Sequence, residues 1–181
     1  LYWRARSLAD RGKPFNKPNF VVKNIQDYLF PSLNFNADEL SCAIGSSVLK
    51  RLPAIISKRR EIAHKVDEAL KDCKAVHPTN LELPGAESSL HFHTVLVDLA
   101  RLSVSKTEFA EAIAAEGISL NGDYRDITSE WQWIPNYVRN YPAIPNALNF
   151  RNQTINLLLN ERFEDQEVRD IVAAIKKVEK V

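Results

Sequence analysis

Asn34-Phe35-Asn36-Ala37-Asp38-Glu39-Leu40 opens the stretch that decides the fold: a short polar loop leading straight into a helical pattern that runs to Cys73. Asn36 or Asp38 can accept from the first free N–H groups of a helix, and Glu39 stands three residues after Asn36, as a capping box requires. Pro53 is tolerated best in a first helical turn, so the spacing predicts a kink or restart there and a second helix to about Asp72. Ile55, Ile62, Val66, Leu70 and Cys73 recur at steps of 7, 4, 4 and 3. That periodicity turns one stripe inward and leaves Lys58, Arg59, Lys65 and Lys71 toward water.

Upstream, residues 1–11 read as helix, stopped by Gly12, Pro14 and Pro18, and a loop of mixed polarity follows to Pro31. This opening is basic: Arg4, Arg6, Arg11, Lys13, Lys17 and Lys23 stand against Asp10 alone, a pattern that reads as a solvated face. Downstream, Pro78, Thr79, Asn80, Pro84 and Gly85 mark a connection, and Leu90 to Leu99 alternates as a strand does. A βαβ-like unit is expected next. Ser105-Lys106-Thr107-Glu108 is a capping box, Phe109, Ala112 and Ile113 form the buried stripe, and Gly117 suits a left-handed C-cap before a strand at Ile118 to Leu120. Residues 121–151 look loop-rich, with Trp131, Trp133, Tyr137 and Tyr141 among Pro135, Pro142 and Pro145. A strand from Thr154 to Leu159 and a helix carrying Val168, Ile171, Val172, Ile175 and Val178 close the chain.

With 181 residues, 45% hydrophobic and 26% charged, the chain can bury one domain-sized core. Its formal charge of +1 gives no general pull toward nucleic acid. No apolar run approaches the roughly 20 residues that cross a bilayer, so no membrane partner is expected. The absence of methionine and the helical reading from Leu1 onward suggest a truncated or cleaved piece. Cys42 and Cys73 lie 31 positions apart, about 46 Å along a straight helix, too far for one bond. That agrees with a reducing, cytoplasmic setting. His91 and His93 alternate on the expected strand and would share a face, but no third ligand can be assigned and no metal is expected. For His93, a packed, hydrogen-bonded role is the plainer reading.

Taken in order, Asn34-Phe35-Asn36, Ala43-Ile44-Gly45, Leu49-Lys50-Arg51-Leu52, Lys58-Arg59-Arg60-Glu61-Ile62-Ala63, His91-Phe92, Glu116-Gly117-Ile118 and Pro145-Asn146-Ala147 closely resemble the DegT/DnrJ/EryC1/StrS sugar aminotransferases, which depend on pyridoxal 5′-phosphate (PLP). The resemblance covers nearly the whole chain and implies the α/β C-terminal small domain of a fold type I PLP-dependent transferase, an α/β sandwich with a long N-terminal helix. Residues 1–33 would close the large cofactor domain, 34–73 would be the cofactor-reaching loop and interdomain helix, and 74–181 the small domain. The lysine that binds the cofactor would lie upstream, so no catalytic residue is assigned; Lys50, Lys58 and Lys106 lack its context.

The resemblance also implies roles. Asn34 would reach across a homodimer to the cofactor phosphate of the neighbouring subunit, an amide donating without a buried cation. An Asx turn or cap is the alternative role for the same side chain. Asn36, His91 and Tyr124 would contact substrate. Asn36 departs from the family, which usually has arginine there; the neutral amide removes a cation that would face an anionic group. Ala37 replaces the usual methionine. Trp131 to Tyr141 border the expected substrate side and suit sugar faces or a cover for the sheet equally. The run Asn156-Leu157-Leu158-Leu159-Asn160-Glu161-Arg162-Phe163 departs from the usual family wording and suggests a divergent subfamily.

The implied reaction is transfer of an amino group from glutamate or glutamine to a keto sugar, often nucleotide-linked, or a cyclitol. Two other readings stay open: a non-catalytic dimerisation or ligand-binding α/β module, and a family member turned sugar dehydratase. An upstream domain with a lysine-bearing cofactor site would set the enzyme apart from the module, and lysine or histidine at that upstream position would distinguish the aminotransferase from the dehydratase.

Overall fold

Ser105 accepts from the backbone N–H of Glu108 at 3.2 Å while the Glu108 carboxylate accepts from Ser105 N–H at 2.9 Å, so the expected capping box sets the start of a helix. The computed structural model describes residues 1–20, 27–35, 37–79, 84–124, 127–140 and 143–180. It divides into two units, Leu1–Val48 with Arg125–Ala147, and Leu49–Tyr124 with Leu148–Val181.

The second unit holds the sheet. Its helices are α3 (Leu52–Leu70), α4 (Lys106–Ala115) and α6 (Asp165–Val178), and its strands are β1 (Val76–Pro78), β2 (His93–Val97), β3 (Leu120–Asn121) and β4 (Thr154–Leu157). Strand order is β1-β2-β4-β3, with every neighbouring pair antiparallel. The expected βαβ-like unit is therefore split: β2 and β3 run parallel on either side of α4 in the chain, with β4 inserted between them. One core joins Val66 and Leu70 of α3, Val95 and Val97 of β2, Phe109 and Ile113 of α4, Ile155 and Leu157 of β4, and Ile171 and Ile175 of α6. On the other parity of the sheet, Thr94 Oγ1 donates to Asn156 Oδ1 at 2.8 Å, which satisfies a buried amide across a registered pair.

Several sequence expectations shift. The strand expected over Leu90 to Leu99 is confined to His93–Val97, so His91 lies before it and does not share a strand face with His93. The connection expected from His77 contains β1. The loop-rich stretch ends in an eight-residue helix, α5 (Pro145–Asn152), opened by a proline that fits a first turn. Pro53 lies in the first turn of α3, which restarts at Leu52 after α2 (Glu39–Leu49) ends.

The first unit is built around α1 (Tyr2–Ala9) and the segment that returns along its end. Gly12 has φ +74, and a Cβ there would sit 2.1 Å from the Phe30 carbonyl oxygen, so only glycine fits. Leu29 N–H donates to Gly12 O at 2.9 Å, Arg11 N–H to Leu33 O at 3.1 Å and Phe35 N–H to Ala9 O at 2.8 Å. The basic opening is only partly a solvated face. Lys13 is buried with its ammonium 2.8 Å from the Asp10 carboxylate, and the Arg6 guanidinium lies 4.3 Å from the centre of the Phe15 ring. Trp133 packs against Trp131 and Tyr137, with centroids 5.3 and 5.7 Å apart, and Ile134 beside it in the chain is buried.

Candidate functional site

Asn34 sits on the exposed return segment of the first unit, bridged antiparallel to Asp10. Backbone hydrogen bonds on both sides, from Arg11 and Phe35, fix the main chain of this residue. Asp38 then receives the entry to α2, accepting from Ser41 N–H at 2.8 Å and Ser41 Oγ at 2.7 Å, and these bonds hold its carboxyl below the usual range. Of the two capping candidates it is Asp38 that meets the helix; Asn36 lies outside the described residues. A pinned loop carrying an exposed amide can donate to a phosphate oxygen, and it needs no cation to do so.

The apolar side chains around that loop are uncovered. Leu33, Phe35, Leu40 and Ile44 are each more than half exposed, and no residue of α2 is buried. A helix with a single charge, Glu39, and no buried face is unusual for a water-facing element.

The second unit brings His91 and Tyr124 together through Phe92. Ring centroids are 5.6 Å apart for His91–Phe92 and 6.0 Å for Phe92–Tyr124. The approach to His91 is held from α3. Arg59 donates to Glu161 Oε2 from Nε at 3.1 Å and from Nη2 at 2.9 Å, and from Nη1 to Leu90 O at 3.4 Å. Arg60 donates to Ser88 O at 2.8 Å and to Glu87 at 2.7 Å. Leu90 itself adopts φ +48, a left-handed conformation that costs a leucine about 1–2 kcal/mol. Arg59, expected to face water, is thus a junction between α3, the entry to β2 and the turn after β4. His93 is 6% exposed and its Nε2 lies 2.7 Å from Asp67 Oδ1, a packed strand histidine in a hydrogen bond.

The lysines named from the sequence are committed elsewhere or exposed. Lys58 pairs with Glu61 at 3.0 Å. Lys106 donates to the carbonyls of Arg151 and Thr154 at 2.9 and 3.2 Å, and burial pushes its pKa down. Cys42 is exposed and Cys73 buried, both as free thiols, and burial pushes the Cys73 thiol up.

The sequence reading missed Arg59 and Phe92. For Arg59 a signal existed: the step of 7 between Ile55 and Ile62 leaves one helical turn of the inward stripe unfilled, and Arg59 stands in that gap.

The chain matches known proteins along nearly its whole length. The chain belongs to the DegT/DnrJ/EryC1/StrS aminotransferase family, whose model matches residues 1–176. The dTDP-4-dehydro-2,3,6-trideoxy-D-glucose 4-aminotransferase of Saccharopolyspora spinosa is 30% identical over 142 residues, 77% of this chain and 34% of that protein. Among solved structures, Helicobacter pylori PseC, an aminotransferase involved in pseudoaminic acid biosynthesis, superposes with a TM-score of 0.67 at 22% identity, over 97% of this chain and 45% of PseC. A GDP-4-keto-6-deoxymannose-3-dehydratase holding PLP and glutamate has a TM-score of 0.59 at 19% identity, over 96% of this chain and 47% of its own. The chain spans 39%, 37% and 34% of the lengths of the curated relatives it matches. The fold is a mixed α/β one with an antiparallel sheet, shared with sugar aminotransferases over somewhat less than half of their own chains.

Proposed function

We propose that residues 1–181 are the C-terminal part of a PLP-dependent enzyme that moves an amino group from glutamate or glutamine to a keto sugar, often nucleotide-linked, or to a cyclitol. The observation that carries this reading is the pinned, exposed Asn34 in a chain that matches the aminotransferase family from residue 1 to residue 176. When bound, PLP supplies the electron sink for exchange of the amino group. This chain's own residues bind and orient. Asn34 donates its amide to the cofactor phosphate, and Asn36, His91 and Tyr124 meet the substrate. Residues 1–33 close the cofactor domain, 34–73 carry the reaching loop and interdomain helix, and 74–181 form the small domain.

The same reading makes the protein a cytoplasmic homodimer in which Asn34 serves the partner's pocket. The uncovered apolar row Leu33, Phe35, Leu40 and Ile44 supports an interface there. Among the described residues no single helix is long and apolar enough to cross a membrane. The test is to incubate the intact protein with PLP, glutamate and a panel of dTDP-, UDP- and GDP-linked 4-keto-6-deoxy sugars. An amino sugar is expected from the intact protein and none from the 181-residue chain alone. Because a dehydratase shares the fold, a deoxygenated sugar in place of an amino sugar would favour that second reading. No sugar product of either kind would contradict both.

A further inference from the structure

We propose that Arg59 is a positioning residue: it fastens the left-handed turn at Leu90 and thereby sets where His91 stands against the substrate. The inference deepens the reading given above and rests on His91 being a substrate contact.

Three observations carry it. The guanidinium is forked across two elements, with two N–H groups on Glu161 and a third on Leu90 O. Its side chain is 24% exposed and that of Glu161 30%, so the pair is sheltered more than the neighbouring Arg60–Glu87 pair, where Glu87 is 79% exposed. The residue it grips stands at φ +48, a strained conformation for leucine in which Ser88 Oγ accepts from the Leu90 N–H at 3.2 Å and Arg59 supplies the hold on the carbonyl side. His91 follows immediately and stacks edge-on against Phe92, so rotation at Leu90 swings the imidazole away from the Phe92–Tyr124 pair. A single lysine ammonium in place of Arg59 could meet Glu161 but lacks the fork that reaches Leu90 O as well.

The test uses the intact protein with ¹³C-labelled histidine, the His91 ring signal being assigned by its loss in His91→Gln. In Arg59→Gln and Arg59→Lys the His91 signal is expected to shift, because its place relative to the Phe92 ring changes, while His64 and His77 stay put. For the keto sugar that turns over, KM should rise about tenfold in both variants with kcat nearly unchanged. Lysine should restore thermal stability without restoring KM, and if Arg59→Gln does not fold the lysine variant carries the test. In a His91→Ala background, Arg59→Gln should raise KM no further, since the two act through one contact. An unmoved His91 signal, or a KM effect that multiplies in the His91→Ala background, overturns the proposal. Unchanged KM in His91→Ala alone overturns the substrate reading of His91 and this inference with it.

Discussion

His93 Nε2 and Asp67 Oδ1 meet at 2.7 Å and tie the inner strand β2 to the helix α3. The imidazole is buried at 6% exposure, so it depends on that carboxylate for a partner. Asp67→Ala should lower the stability of the domain by about 1–3 kcal/mol, the cost of an unsatisfied buried polar group. Denaturant titration would read the loss as a lower midpoint at constant slope; an unchanged midpoint would show that the pair adds nothing.

Leu70 and Ile44 are both helical and apolar but differ in what covers them. Leu70 is 0% exposed and Ile44 57%. Leu70→Ala should cost about 2–5 kcal/mol of stability. Ile44→Glu should leave the fold intact and convert the intact protein from dimer to monomer in light scattering coupled to size exclusion. A dimer that survives Ile44→Glu would place the interface elsewhere.

Lys65 bridges two helices, lying 2.9 Å from Glu61 of its own α3 and 2.7 Å from Asp165 of α6. The hydrogen bonds to Asp165 and then Glu61 raise the lysine above its ordinary 10.5, and Lys65 in turn holds Asp165 below 3.8 and Glu61 below 4.5. The signs follow from linkage. Each carboxylate contributes fully above its ordinary value and loses its contribution as pH falls through the depressed one, while the lysine contributes fully below 10.5 and loses it as pH rises through the raised one. Thermal melts should therefore show a plateau from 4.5 to 10.5 for this network. Lys65→Met should shrink the fall on the acid side. The groups are exposed, so salt near 1 M should shrink it as well.

Gly12 determines how the loop before α2 lies on α1. Gly12→Ala would drive a methyl into the Phe30 carbonyl, 2.1 Å away, at a φ of +74 that alanine resists. Since Arg11 and Phe35 flank the Asp10–Asn34 bridge, displacement of this turn should weaken PLP binding as removal of the Asn34 amide would. A cofactor titration of Gly12→Ala checks it; affinity equal to that of the unaltered protein would detach the turn from the site.

The elements with strong local signals were legible in the sequence. The Ser105–Glu108 capping box, the turn at Gly117 (φ +91) and the stripe of α6 all stand where the residues place them, because caps and periodicity are set by neighbours in the chain. Features that depend on distant partners were not legible. β1 is three residues long and exists by pairing Val76 with Val97, and nothing in Val76-His77-Pro78 alone announces a strand. His91 falls outside β2, whose pairing with β4 begins at His93 opposite Leu157, and the left-handed Leu90 before it is bonded by Arg59, whose other partner Glu161 is 102 positions away. The alternation from Leu90 onward could not report that. The family motifs identified the Asn34 loop, but the hydrogen bonds that pin it come from α1 and the Gly12 turn.

The central claim is that the Asn34 amide serves a PLP phosphate. The most direct measurement is the dissociation constant of PLP for the intact protein and its Asn34→Ala variant, by titration of cofactor absorbance. At least tenfold weaker binding is expected, about the value of a hydrogen bond to a charged group. Equal affinity in the two proteins would contradict it.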